Sequence, residues 1–134
     1  MNKKIKYIAY KNYKETNGCL TPFHLDENFP IKTKRLFIIQ GKKNQIRGKH
    51  AHKICNQFFI PINGEAKLKI LSPKKKIFIL NSKKNRALLV PKLHWCEITF
   101  KSKYTALLVL CDYKYLKSEY ITNIEKFYSI FKKK

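Results

Sequence analysis

Two histidines that stand one residue apart are the residues of this chain best suited to chemistry. They are His50 and His52, in the stretch RGKHAHK that runs from Arg47 to Lys53. Side chains alternate between the two faces of a strand, so both histidines should point one way and Ala51 the other. A histidine pair can act as acid and base near neutral pH, and neutral imidazole also binds metals. Two polar residues on a solvated strand edge are the third possibility.

The apolar segments around this stretch are short and rich in β-branched and aromatic residues, which is typical of strands. Strands at this spacing, without intervening helices, predict an all-β sandwich or barrel. The dipeptide Asn63-Gly64 between two such segments predicts a tight hairpin turn. The segments are residues 36–39, 58–60, 66–70, 77–80, 87–90 and 105–110.

The C-terminal part of the chain has a helical pattern. Four apolar residues recur there at intervals of four, three and four, which would place them on one face of a helix. Ser118 is expected to cap this helix, and Glu119 is expected in its first turn, where the helix dipole favours an acid. We expect the helix to pack on the barrel or on a partner subunit. The four residues are Tyr120, Ile124, Phe127 and Phe131.

Size and composition fit one domain spanning residues 1–134, with 44% hydrophobic residues available for a core. No apolar run approaches the ~20 residues of a membrane span, so membrane insertion is not expected. Lysines interrupt the apolar residues of the basic N-terminal stretch, so we do not expect it to be a signal peptide. The four cysteines are scattered without a C-x-x-C pair, which favours reduced thiols. Together these features predict a cytoplasmic protein.

The net charge of +22 raises the question of a polyanionic partner. Of the 30 basic residues only Arg35, Arg47 and Arg86 are arginines, whereas nucleic-acid surfaces usually draw on arginine for bidentate contacts. Lysine spread along the whole chain also fits a compositional drift of the genome. Nucleic-acid binding is therefore not expected as the main role, although the charge would favour an anionic ligand such as a nucleoside diphosphate.

The order of residues after the histidine pair resembles the first cupin motif. H-x-H is followed by four residues, Gln57, six residues and Gly64, with glutamine in the position of the cupin glutamate. The second cupin motif has a partial echo in residues 91–96, where Cys96 takes the place of its histidine. A metal site built on this pattern would consist of His50, His52, Gln57 and Cys96. An amide oxygen is a poor ligand beside imidazole and thiolate, so we expect neither a metal nor any other cofactor.

A closer resemblance joins RGKHAHK, Gln57, VPKLHWCEI and LCDYKYLKSEYI. Together these stretches are similar to the WxcM-like sugar 3,4-ketoisomerases, over about residues 17–121. The resemblance implies a cupin jelly roll with a short C-terminal helix, paired as a homodimer through edge strands. It also implies a metal-free isomerisation of a dTDP-linked 4-keto-6-deoxyhexose to its 3-keto isomer through an enediol. That reaction serves the biosynthesis of deoxyamino sugars for bacterial surface glycans such as the O-antigen of lipopolysaccharide.

The resemblance also implies roles for residues of this chain. His52 would be the base that removes the C3 proton, and His50 the acid and base on the oxygen side. Arg47 and Lys53 would bind the diphosphate or sugar hydroxyls, for which the planar fork of arginine is well suited. The chain departs from the family at residues 36–39, where family members often carry tyrosines, and at Asn17, where they carry arginine.

Three further residues are candidates for binding the substrate. Gln57 begins a predicted strand and can face the same cavity as the histidines. Trp95 could stack on the sugar or the base, or belong to the core. Glu97, one of eight acidic residues, could line the pocket opposite His52 or offset nearby lysines. The alternatives to an isomerase are a non-catalytic cupin that binds a nucleotide-sugar or polyanion, and a metal-dependent cupin.

Overall fold

The computed structural model describes residues 3–132, which form twelve strands, one 3-10 turn at Lys117–Glu119 and one α-helix. The strands are β1 (Lys6–Ala9), β2 (Tyr13–Glu15), β3 (Gly18–Leu20), β4 (Arg35–Lys42), β5 (Ile46–His52), β6 (Gln57–Asn63), β7 (Glu65–Leu71), β8 (Lys75–Asn81), β9 (Arg86–Val90), β10 (Trp95–Phe100), β11 (Tyr104–Cys111) and β12 (Tyr120–Ile121). The helix α1 spans Ile124–Lys132.

Ten of the strands form two five-stranded sheets. One sheet has the order β1-β9-β6-β11-β4 and the other β12-β5-β10-β7-β8, and every pairing is antiparallel. From β4 onward the chain crosses between the sheets at almost every connection, as it does in a jelly roll. The predicted all-β jelly roll with a C-terminal helix is confirmed. Strands β2 and β3 form a separate, exposed hairpin.

The main core lies between the two sheets, and its residues alternate with polar ones along each strand as the pleat requires. In β7 Ala66, Leu68 and Ile70 belong to this core, while the lysines between them are partly exposed. A second cluster lies on the outer side of the β5–β10 sheet, where Ala51, Trp95 and Phe127 pack together under α1.

The predicted hairpin at Asn63-Gly64 is wrong. Strand β6 ends at Asn63 and β7 starts at Glu65, but the two strands belong to different sheets. Gly64 has a φ of +73°, and a Cβ there would lie 2.6 Å from the carbonyl oxygen of Tyr104. The positive φ of Gly64 therefore lets the chain turn sharply from one sheet to the other. The Asn-Gly dipeptide predicts a tight turn, but it does not show whether the two flanking strands pair with each other.

The start predicted for the C-terminal helix is also wrong. Ser118 lies in the 3-10 turn, and Tyr120 pairs with His52 as part of β12. The helix begins at Ile124, where the side chain of Asn123 accepts a hydrogen bond from the Lys126 amide at 3.0 Å. Tyr120 therefore lies in a strand paired with β5, despite its helical spacing from Ile124. Within α1, the apolar face buries Phe127.

The described part of the chain contains no helix with the length and apolar character of a membrane span.

Candidate active site

A cavity of about 550 Å³ lies inside the barrel, with walls from both sheets. Two arginines and a histidine share the walls with aromatic and aliphatic side chains, and among the described residues that line it there is no aspartate or glutamate. A cavity of this kind suits an anionic ligand that also has an apolar part. The lining residues are Arg35, Phe37, Ile38, Ile39, Gln40, Arg47, Gly48, His50, Gln57, Phe59, Cys96, Ile98 and Tyr120.

The two histidines of β5 lie side by side, as strand alternation predicts. Their ring centroids are 5.1 Å apart with the planes at 86°, while Ala51 between them packs toward α1. His50 lines the cavity directly. His52 is only 5% exposed and lies next to the rings of His50 and Tyr120, the latter with a centroid 4.3 Å away.

A buried carboxylate orients His52. Glu119, 3% exposed, accepts a hydrogen bond from the Nδ1–H of His52 and bonds of 3.1 Å each from the backbone amides of Ile54 and Cys55. The carboxylate holds the proton on Nδ1, which leaves the lone pair on Nε2. That Nε2 is buried and has no hydrogen-bond partner among the described residues. A carboxylate-backed imidazole with a free Nε2 has the arrangement of a general base.

Burial keeps both rings uncharged at neutral pH. It lowers the pKa of His52 below the ordinary 6.5, although Glu119 opposes the shift, and Arg35 lowers it further. Burial also lowers the pKa of His50, and the neighbouring His52 adds to this shift. Desolvation is the largest cause of the shift for both rings, ahead of any neighbouring charge.

The carboxyl group of Glu119 stays ionised beside this neutral ring. Burial alone would raise its pKa, but the hydrogen bonds from His52 and from the Cys55 and Ile54 amides outweigh burial, so the pKa lies below the ordinary 4.5. When His52 accepts a proton, the ionised carboxylate stabilises the resulting imidazolium.

The protein is expected to become easier to unfold as the pH falls below 6.5. His50, His52 and also His94 have folded-state pKa values lowered from 6.5 by burial, so the unfolded chain takes up protons first. The stabilisation is fully present above the unfolded pKa and is lost as the pH falls through the folded values. Urea midpoints between about pH 8 and pH 5 measure this effect. His24→Asn, at an exposed loop residue, should leave the pH dependence unchanged, whereas a midpoint constant across this window would contradict the prediction.

A bulge in β5 brings Arg47 to the cavity. The register to β10 pairs His50 with Cys96 and Gly48 with Glu97, so Lys49 is an extra residue. Gly48 has a φ of +94° and Lys49 a φ of +59°. Strict alternation would place the side chains of Arg47 and His50 on opposite faces of β5. Because of the extra residue, both side chains lie on the face that lines the cavity. A Cβ on Gly48 would lie 2.8 Å from the carbonyl oxygen of Cys96, so glycine is required there.

Gln57 and Cys96 both line the cavity, but neither provides an anionic ligand. The amide of Gln57 donates to the sulfur of Cys111 at 3.6 Å. Burial raises the pKa of the Cys96 thiol to about 12, so it stays protonated near neutral pH. Within residues 3–132 no group of three or more His, Cys, Asp or Glu residues is arranged to hold a metal ion.

Three predicted binding residues do not reach the cavity. Trp95 and Glu97 lie on the opposite face of β10 from Cys96, where Trp95 packs on Phe127 with ring centroids 5.8 Å apart. The Trp95 indole N–H donates a hydrogen bond to the Glu97 carboxylate at 3.0 Å, so both polar groups have a partner outside the cavity. Lys53 follows β5 as an exposed residue and is not among those that line the cavity.

Sequence reasoning missed Arg35, Glu119 and Tyr120 as site residues. Arg35 donates to the Tyr120 hydroxyl oxygen at 3.4 Å, and its guanidinium lies over Phe37 at 4.9 Å. Glu119 and Tyr120 were assigned to a helix, which directs attention away from the barrel. The sequence contains one signal for Glu119, which is the scarcity of acidic residues. Glu119 is one of only eight, and it lies in a stretch that carries the family resemblance.

Comparisons with known proteins agree on one kind of enzyme. The family described as FdtA, WxcM-like, C-terminal matches residues 3–132. A curated TDP-4-oxo-6-deoxy-alpha-D-glucose-3,4-oxoisomerase from Aneurinibacillus thermoaerophilus is 26% identical over 91% of this chain and 88% of its own length.

Solved structures of sugar 3,4-ketoisomerases are similar as well. QdtA from Thermoanaerobacterium thermosaccharolyticum, in complex with TDP, is 30% identical with a TM-score of 0.88, over 96% of this chain and 95% of its own. WlaRA, a TDP-fucose-3,4-ketoisomerase from Campylobacter jejuni, is 31% identical with a TM-score of 0.81, over 93% of each chain.

Proposed function

This chain belongs to the FdtA family of WxcM-like, C-terminal proteins, and on that premise we propose that it is a nucleotide-sugar 3,4-ketoisomerase. It converts a dTDP-4-keto-6-deoxyhexose to the 3-keto isomer, as the activities of its curated and solved relatives indicate. The observation that carries this function best in the chain itself is the Glu119-backed His52 next to His50 at the wall of the cavity.

The chemistry requires a carbon base and an oxygen-side partner. The C4 ketone acidifies the C3 hydrogen, and removal of that hydrogen gives an enediol that is reprotonated at C4. We assign the carbon steps to Nε2 of His52, because that nitrogen keeps its lone pair while Glu119 stabilises the imidazolium. His52 is buried and is not among the residues that line the cavity, so side chains of the wall must move for a sugar carbon to reach Nε2. His50 lines the cavity and is assigned the proton on the C3 oxygen.

The charge of the cavity supports a nucleoside diphosphate as the handle of the substrate. Arg35 and Arg47 are the cations among the lining residues, and no described acid opposes them there. Arginine binds phosphate oxygens with two parallel hydrogen bonds, which fixes both position and orientation. Arg47 is exposed at the mouth of the cavity, so it is assigned to the diphosphate and leaves the interior to the sugar.

A homodimer is part of this proposal. Strand β4 lies at the edge of its sheet and borders the cavity, and it exposes Leu36 by 59% and Ile38 by 55%. An open sheet edge with apolar side chains is a template for pairing with another chain. A cytoplasmic location and a place in surface-glycan biosynthesis belong to the same proposal, supported by the free state of all four cysteines and by the family resemblance respectively.

The function is tested by incubating the protein with TDP-4-keto-6-deoxyglucose in deuterated water and following the sugar by NMR. The expected result is a 3-keto isomer that carries deuterium at C4, since the proton added there exchanges with solvent on the base. A folded protein that gives no isomer would refute the function. Binding of an oligonucleotide that weakens steeply with salt, without isomerisation, would instead support a non-catalytic polyanion-binding cupin.

A further inference from the structure

Tyr120 is the single hydroxyl-bearing side chain among the described residues that line the cavity. Its ring lies 5.1 Å from that of His50 and 4.3 Å from that of His52, measured between centroids. Strand β12 fixes this position, because Tyr120 pairs with His52 in the backbone ladder of β5. The backbone of Tyr120 is therefore held beside His50 in the wall and next to His52, which is buried and does not line the cavity itself.

The hydrogen bond from Arg35 determines what the phenol can do. The guanidinium Nη1 donates to the hydroxyl oxygen of Tyr120 at 3.4 Å, and a guanidinium has no acceptor. The O–H of Tyr120 is therefore free to donate elsewhere. A positive charge beside the oxygen also stabilises the phenolate that forms when this proton leaves.

We propose that Tyr120 is a further catalytic residue, the proton donor to the C4 keto oxygen of the sugar, with Arg35 as its positioning residue. The assignment rests on the proposed ketoisomerase function. It divides the oxygen-side work between two groups, because a single neutral imidazole that gave up its N–H proton first would have to pass through an unfavourable imidazolate.

The proton transfers balance over one turnover. His52 takes the C3 hydrogen as a proton, the C–H electron pair forms the C3=C4 bond, and the carbonyl oxygen at C4 takes the phenol proton of Tyr120. His50 then removes the proton from the C3 hydroxyl, the C3=O bond forms, and C4 takes the proton back from His52. Transfer of the proton from His50 to the phenolate of Tyr120 restores all three groups.

The test is the variant Tyr120→Phe, which keeps the ring and removes the hydroxyl. We expect kcat to fall about 100-fold or more, the usual size of a proton-transfer contribution, while KM changes by less than about threefold. TDP affinity, measured by calorimetry, should be unchanged. The matched control is Tyr104→Phe, which removes an exposed phenol at the start of β11, outside the cavity, and should leave kcat unaltered.

The outcomes separate this inference from the proposed function. If the unaltered protein isomerises the sugar and Tyr120→Phe keeps kcat within about threefold, the donor role of Tyr120 is wrong and the function stands. If the unaltered protein binds TDP but gives no isomer, the proposed function fails and this inference fails with it. If Tyr120→Phe does not fold, 3-fluorotyrosine placed at position 120 keeps the shape and makes the hydroxyl more acidic. A changed pH profile of kcat then supports the role, and an unchanged one overturns it.

Discussion

Replacing His52 by asparagine is expected to lower the isomerisation rate by about a thousandfold or more, within the range known for loss of a positioned base. Asparagine keeps a polar, similarly sized group beside Glu119 but has no nitrogen that accepts a proton. Because the C3 hydrogen is no longer removed, deuterium should also fail to enter the sugar carbons in deuterated water. NMR of the sugar measures both quantities in one experiment, and circular dichroism checks that the barrel remains folded.

Two variants serve as comparisons for His52→Asn. His94→Asn changes a histidine that lies outside the cavity and contacts the Lys92 carbonyl at 2.9 Å, so turnover should be retained. His50→Asn should block isomerisation while some exchange at carbon persists, because His52 is intact. Carbon exchange that survives in His52→Asn but is lost in His50→Asn would reverse the two assignments.

Replacing Glu119 by glutamine is expected to lower kcat by about 100-fold with little change in KM. The substitution keeps the volume but removes the charge that stabilises protonated His52, and the same kind of change in a histidine–aspartate pair has large effects on rate. Because Glu119 raises the pKa of His52, its loss should also move the acid limb of the kcat profile to lower pH. Unfolding should become easier by about 1–3 kcal/mol, since a buried charged acceptor of three hydrogen bonds is lost.

The control for this variant is Glu125→Gln, at an exposed position in the first turn of α1. It removes the same charge without contact to the barrel interior, and kcat and its pH profile should stay as they are. Should Glu119→Gln lose stability yet keep both kcat and the acid limb, the carboxylate would be a structural anchor with no part in the base.

Much of the site follows from the sequence because strand alternation is local and strict. His50, Gln57 and Cys96 reach the cavity because each lies on the inward face of a strand whose neighbours alternate. The same rule, applied from Cys96, already places Trp95 and Glu97 on the outer face of β10. Their side-chain chemistry suits substrate binding, but the strand face on which they lie excludes them from the cavity.

The remaining site residues depend on features that a periodic pattern does not contain. Arg47 reaches the cavity because one extra residue at Lys49 reverses the alternation. Glu119 meets His52 across 67 residues, and a contact so distant in the chain leaves no local trace. Tyr120 and Ile124 have helical spacing in the sequence, but they lie on different elements. Tyr120 pairs with β5 as part of β12, and Ile124 begins α1.

The 67-residue separation of Glu119 from His52 has a consequence for synthesis on the ribosome. A nascent chain can carry His50, His52, Gln57 and Cys96, with the strands β5, β6 and β10 that hold them, before Glu119 has been translated. The histidine then lacks the carboxylate that fixes its tautomer, even if the sheets have begun to pair. We therefore expect the proposed base to be completed last, when the segment from Glu119 to Phe127 docks against the barrel, so barrel formation and the onset of activity should be separable events in time.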